Sequence, residues 1–349
     1  MVPLGALLLI ASLLTLGCAA RPAEPTAPRA ETGAASAPQA GLTLQASYSS
    51  PVMSQSPILL AQEAGYFAEQ GLEVAISSVR QATQNAAALM SGELDVSVMG
   101  GTAPLRARLG GAELVIVGGT KPYFAGAIVA RPEIATPADL RGKRLGVGSK
   151  GGNPDFMARA MLPRLGLEPD RDVALLTTGG DPETVAALVA GSVDAGAVIP
   201  PGDEQARNLG FHNLIDVTAA RVPFPATVLA TGSATLASRP DAIERFLRAY
   251  AQASYRFVRD RDFALRVGAA FTGRDDVAAI ELAYDVERQI IQPDLDLPLT
   301  AIQGALDLMR DEDPRAADAR PDDFVDLRLL RQIKESGFLD RLAADAGPR

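Results

Sequence analysis

The residues of this chain that could do chemistry are grouped for recognition rather than reaction. Short stretches of small and polar residues recur along it: Ser47-Tyr48-Ser49-Ser50, Gly100-Gly101-Thr102, Gly148-Ser149-Lys150-Gly151-Gly152-Asn153, Gly179-Gly180-Asp181 and Pro200-Pro201. Each precedes a helical stretch, so backbone N–H groups and the positive end of a helix face a common space. Glycines let a ligand approach the backbone, and hydroxyls donate hydrogen bonds without adding charge. Lys150 would place a cation where an anionic head group lies. Tyr48, Tyr123, Phe124 and Phe224 are the aromatics expected nearest the cleft or its hinge. The expected ligand contacts are Tyr48, Ser49, Ser50, Gly100, Gly101, Thr102, Tyr123, Ser149, Lys150, Gly152, Asn153, Asp181 and Pro200.

Catalytic patterns are missing. The sole histidine, His212, sits in Gly-Phe-His-Asn-Leu, read as a loop, and has no evident partner. The sole cysteine, Cys18, ends an apolar leader. No GxSxG, HExxH, CxxC or Walker A pattern occurs. Gly146-Val-Gly148-Ser-Lys-Gly151 has dinucleotide-loop spacing, but its strand is short and the helix opens only at Asn153-Pro154. Acidic runs such as Arg310-Asp-Glu-Asp-Pro read as solvated helix ends, not metal cages. No cofactor and no metal site are expected. The net charge of −9 argues against a nucleic-acid partner, which needs a basic face.

The elements that must position the loops alternate short β-like runs with helices, the pattern of a parallel α/β sheet. Strands are expected at Leu42-Thr-Leu-Gln-Ala, Leu72-Glu-Val-Ala-Ile-Ser, Val96-Ser-Val-Met and Leu114-Val-Ile-Val. Helices open at Ser56-Pro57, with Ser56 as N-cap, and span Asn85 to Met90 before Gly92. The pattern then restarts with Arg144-Leu-Gly-Val, a helix from Asn153-Pro154, Val173-Ala-Leu-Leu, a helix from Asp181-Pro182, and Ala195-Gly-Ala-Val-Ile. The restart is a diverged repeat: Ala88-Leu89-x-x-Gly92-x-x-Asp95 returns as Ala187-Leu188-x-x-Gly191-x-x-Asp194. The tail from about Pro240 is mostly helical, with Ile243, Phe246, Leu247 and Tyr250 at helical spacing.

The run from Leu4 to Gly17 has the apolar core of a secretory leader. It is too short for a spanning helix, which needs about 20 apolar residues. A small residue before a lone cysteine resembles the lipobox of bacterial lipoproteins. Residues 1–17 are therefore expected to be a signal peptide, with Cys18 lipidated and anchoring the exported chain to a membrane. Residues 18–41, rich in Pro, Ala and Thr, read as a flexible linker.

Ser56-Pro-Ile-Leu-Leu-Ala-Gln-Glu-Ala-Gly-Tyr-Phe-Ala-Glu-Gln-Gly-Leu-Glu-Val74 resembles the first helix of substrate-binding proteins of the nitrate/sulfonate/taurine ABC importers. Ala86-Ala-Ala-Leu-Met-Ser-Gly-Glu-Leu-Asp-Val-Ser-Val-Met-Gly100 is similar to their next helix and strand. Thr136-Pro-Ala-Asp-Leu-Arg-Gly-Lys-Arg-Leu-Gly-Val147 is similar to their entry into a second lobe. The resemblance implies a type II periplasmic binding protein fold: two α/β lobes around a ligand cleft, joined by two crossover segments. The expected lobes are 42–130 with 226–349, and 131–225, with crossovers near 130–134 and 223–229. It further implies a periplasmic or cell-surface monomer that captures a small organic or oxyanion ligand (sulfonate, nitrate, taurine, carboxylate or pyrimidine) by lobe closure. Permease and ATPase subunits of an importer would be its partners. Two other roles fit the same fold: presenting a ligand to a membrane sensor, or an enzyme like the thiamine-pyrimidine synthases. Those enzymes use a histidine and a cysteine-rich segment; this chain has one unsuitable histidine, His212, and no such segment.

Overall fold

The strands are made by short runs of small and branched apolar residues. Val96–Met99, Ala127–Ala130 and Ala195–Val198 are buried at every position, as strands covered on both faces must be. The computed structural model describes residues 42–273 and 275–345. The expected leader, lipidated Cys18 and linker lie outside the described residues. The strands are β1 (Leu42–Tyr48), β2 (Leu72–Ser78), β3 (Val96–Met99), β4 (Leu114–Tyr123), β5 (Ala127–Ala130), β6 (Arg144–Gly146), β7 (Ala174–Leu176), β8 (Ala195–Val198), β9 (His212–Asp216) and β10 (Pro223–Gly232).

They form two five-stranded sheets, ordered β2-β1-β3-β10-β4 and β7-β6-β8-β5-β9. The two orders are the same design. In each, a parallel trio is followed by an antiparallel strand that comes from across the crossover. The fifth strand, β4 or β9, pairs with that inserted strand. The expected two-lobed α/β fold is thus present, and the sequence repeat is a repeat of sheet topology.

The repeated aspartates show why the motif recurs. Gly92 and Gly191 end equivalent helices in the left-handed conformation, at φ of 77° and 76°. Three residues on, Asp95 Oδ2 accepts a hydrogen bond from Gln45 N at 2.7 Å, and Asp194 Oδ2 accepts one from Arg144 N at 2.9 Å. Asp95 N donates back to Gln45 O, and Asp194 N to Arg144 O, both at 2.8 Å. Each aspartate therefore ties the end of its helix to the middle strand of its sheet's parallel trio, β1 or β6. Arg239 holds the first carboxylate and Arg144 the second.

The tail packs as its periodicity predicts. Ile243, Phe246, Leu247 and Tyr250 of the Pro240–Arg259 helix are fully buried against the first sheet. The helix of the second repeat opens at Asn153, as expected, with Gly152 at its N-cap position. Two local readings change. Ser56 is not a side-chain cap: its hydroxyl donates to Met53 O at 2.8 Å, within a preceding 3-10 turn. His212 opens β9 opposite Ala130 instead of lying in a loop.

The larger change is where the chain switches sheets. Ala127–Ala130 pairs with β8 and β9, so it belongs to the second sheet. β10 begins at Pro223, opposite Tyr123 of the first. The switches therefore fall at 124–126 and 217–222, earlier than the expected 130–134 and 223–229. A four-residue apolar strand without alternation carries no mark of which sheet it joins, hence the displacement.

The two switch segments are bonded to each other. Phe124 N donates to Val222 O at 3.1 Å, Val217 N to Gly126 O at 3.0 Å, and Gly126 N to Thr218 Oγ1 at 2.9 Å. The Phe124 and Phe224 rings stack at 3.9 Å. Gly126 has φ of 141°, and a Cβ there would lie 2.3 Å from Val198 O, so only glycine fits the turn.

Two outcomes are expected. Phe224→Ala should cost about 3–5 kcal/mol in denaturant unfolding, because a fully buried ring is lost from the junction of the sheets. Hydrogen bonds from Arg144 hold the Asp194 carboxyl down from 3.8 to about 2. A carboxyl lowered in the folded state adds stability above its unfolded pKa and loses it as pH falls toward the folded one. The melting temperature should therefore drop between about pH 4 and 2, less steeply in Asp194→Asn.

Candidate functional site

The loops at the carboxyl ends of β1, β3 and β8 open onto one cavity of about 390 Å³. Ser49, Ser50, Gly100 and Thr102 come from the first sheet's loops, and Gly152, Asn153, Ile199 and Pro200 from the second's. Phe124 and Ala125 line it from the 124–126 switch segment, and Ala226 and Thr227 from β10. The helices beginning near Ala82, Thr102 and Asn153 aim their N-terminal turns at this space, which favours electron-rich ligand atoms there.

Several loop N–H groups are already used. Gln55 Oε1 accepts from Ser49 N at 3.0 Å and Ser50 N at 3.1 Å, while its Nε2 donates to Ser49 Oγ. Asp155 Oδ2 accepts from Gly151 N at 2.7 Å. Its buried carboxylate also pairs with Arg159 and tempers the positive end of the Asn153–Arg164 helix. Behind the first-sheet wall, Asn85 Nδ2 donates to Ser97 Oγ and Val79 O, and Ser47 Oγ donates to Ser97 Oγ at 2.8 Å. These bonds set the loop shapes.

At one corner Lys121 and Glu287 meet. Lys121 Nζ donates to Glu287 Oε1 at 2.6 Å, and the two side chains are only 8% and 7% exposed. Lys121 comes from β4 and Glu287 from the Val277–Ile290 helix. Glu287 Oε2 is buried and has no hydrogen-bond partner among the described residues. Arg80 lines the same cavity as an exposed cation at its mouth.

Of the expected contacts, the structure brings Ser49, Ser50, Gly100, Thr102, Gly152, Asn153 and Pro200 to the cavity. The others lie off its lining. Tyr48 stacks edge-on against Phe271 at 4.6 Å. Gly101 N donates to Pro225 O, and a Cβ there would sit 2.4 Å from that oxygen. Tyr123 faces the Arg221 guanidinium at 5.7 Å. Ser149 and Lys150 form an exposed turn closed by Gly152 N to Ser149 O. Asp181 is the first residue of its helix, away from the lining. Sequence reading missed Gln55, Arg80, Asn85, Lys121, Thr227 and Glu287. For Glu287 a signal existed: it interrupts the apolar stripe of Ile280, Ala283, Tyr284 and Ile290.

Two sheets of matched topology with one cavity at their facing loops define the two-lobed α/β binding-protein fold. The chain belongs to the NMT1/THI5-like family, whose model matches residues 53–261. It is 26% identical over 292 residues to the riboflavin-binding protein RibY of Chloroflexus aurantiacus, with 81% of each chain covered. Its fold matches the periplasmic aliphatic sulphonate binding protein SsuA of Escherichia coli with a TM-score of 0.66 and 22% identity, covering 82% of this chain and 91% of that one. The desulfurization enzyme DszB has the same fold, with a TM-score of 0.62 and 19% identity over 84% of this chain and 99% of its own. No helix among the described residues is long and apolar enough to cross a membrane, and no His/Cys/Asp/Glu group among them could hold a metal ion.

Gln55→Leu should leave the Ser49 and Ser50 N–H groups without an acceptor. The expected cost is about 1–3 kcal/mol in denaturant unfolding, with faster amide exchange confined to the 49–55 loop.

Proposed function

We propose that this chain is an extracytoplasmic solute-binding protein that captures one small organic molecule between its lobes and delivers it to an ABC importer. The observation that supports it best is a cavity lined from the loops of both sheets and from the 124–126 switch segment between them. A ligand touching all of these surfaces favours the closed arrangement over an open one, which is how differential contacts drive a hinge motion. The proposed lobes follow strand membership: 42–123 with 223–345, and 127–216. We further propose a cleaved leader at 1–17, a lipid anchor on Cys18, a monomeric state, and permease and ATPase subunits as partners.

The ligand chemistry is proposed from the relatives and the lining together. RibY is named for riboflavin and SsuA for sulphonates, and the cavity offers both an aromatic wall at Phe124 and convergent helix N-termini. A binding rather than catalytic role is favoured by the lining, which holds neither the histidine nor a thiol.

The test is a thermal-shift series against riboflavin, taurine and ethanesulfonate, followed by small-angle scattering of any complex. A ligand at 100 times its Kd adds about 2.7 kcal/mol, which should raise the melting temperature by about 2–4 °C for a chain of this size, with a smaller radius of gyration. Absence of any shift across the series would count against the solute-binding role in these classes.

A further inference from the structure

A buried carboxylate with one satisfied oxygen and one unsatisfied oxygen calls for a donor. Glu287 meets that description: Lys121 holds Oε1 at 2.6 Å, and Oε2 is buried without a partner in the wall of the cavity. Unpaired buried acceptors are disfavoured in the absence of a ligand that completes them. The same pair cancels the charge of Lys121, so this corner has no net positive charge to offer an anion. A bare sulfonate or nitrate placed here would face the Glu287 carboxylate.

We propose that Glu287 is the specificity-determining residue of the cavity, accepting a hydrogen bond through Oε2 from an N–H group of the ligand. The inference rests on the solute-binding reading above and names the chemistry of that ligand. Lys121 is the positioning residue. It fixes the carboxylate and, with one of its three donors used, keeps others for an acceptor beside the ligand's N–H. The Phe124 ring, held flat against Phe224, supplies an apolar wall close by. Ring N–H groups and ammonium groups both meet the requirement; a ligand carrying only anionic oxygens does not.

Calorimetry with two matched pairs of probes distinguishes these sources. Riboflavin carries a ring N–H that 3-methylriboflavin lacks, and taurine carries an ammonium that ethanesulfonate lacks. In one pair the donor-bearing member should bind at least tenfold more tightly, and the pair that responds identifies the source of the donor. Removing Glu287 alone strands the Lys121 charge and risks unfolding, so the informative variant is Lys121→Met with Glu287→Leu, checked for a cooperative melt. It should bind both members of the responding pair equally weakly. Ethanesulfonate or 3-methylriboflavin binding as tightly as its partner would overturn the role of Glu287 while leaving solute binding intact. A retained preference in the double variant would do the same. Silence from all four probes would overturn both together.

Discussion

Everything in this protein hangs on the paired switch segments. The chain crosses from one sheet to the other at 124–126 and returns at 217–222, and the two segments are joined by hydrogen bonds around Gly126 and by the Phe124 ring stacked on Phe224 at the start of β10. The hydrophobic core runs without interruption beneath this point, from Leu89 and Leu105 of the first sheet's helices through Phe224 to Phe156 and Leu162 of the second's. The cavity lies directly over the junction, so any change in the angle between the sheets changes the spacing of its walls. The proposed capture by lobe closure would use that coupling. Phe124 and Ala125 of the 124–126 segment are part of the lining itself.

The electrostatics of the cavity follow from what is already bonded. Helix N-termini supply partial positive charge, while Gln55 and Asp155 already accept from the loop N–H groups of Ser49, Ser50 and Gly151 beside them. Lys121 is neutralised, and Arg80 stands at the exposed rim. The balance is a nearly neutral, hydrogen-bonding interior. A cavity of about 390 Å³ falls at the small end of ligand sites, so a few polar groups must carry the selectivity.

Much of the fold was legible because it repeats. Helix ends in glycine followed by an aspartate three residues on announced two equivalent βα units, and both aspartates proved to do the same job of tying a helix end to a strand. The strands that cross between lobes were harder. Ala127–Ala130 and Pro223–Gly232 are apolar along nearly their whole length, and local sequence cannot say which distant strand such a segment will meet. The site was legible in part for the same reason. Loops after strands could be found, and seven of the residues expected there do line the cavity: Ser49, Ser50, Gly100, Thr102, Gly152, Asn153 and Pro200. Lys121 and Glu287 are separated by 166 residues, and only the folded chain brings them together. Lys150 looked more suitable as the cation, but its turn faces solvent.

The order in which strands enter the sheets has a consequence for how the chain is made. The second sheet is contiguous: all of its strands lie between residues 127 and 216. The first is not, since β10 is the only strand that joins β4 to β3. As the polypeptide lengthens from its N-terminus, β1, β2 and β3 can associate early, yet the edges of β3 and β4 stay open until residue 232 has emerged. The later lobe is therefore the one able to complete itself first, and the earlier lobe must wait for it. A chain synthesised in this order passes through a state with one finished half and one unfinished half, and the strand that ends the wait is the one that returns from the second sheet.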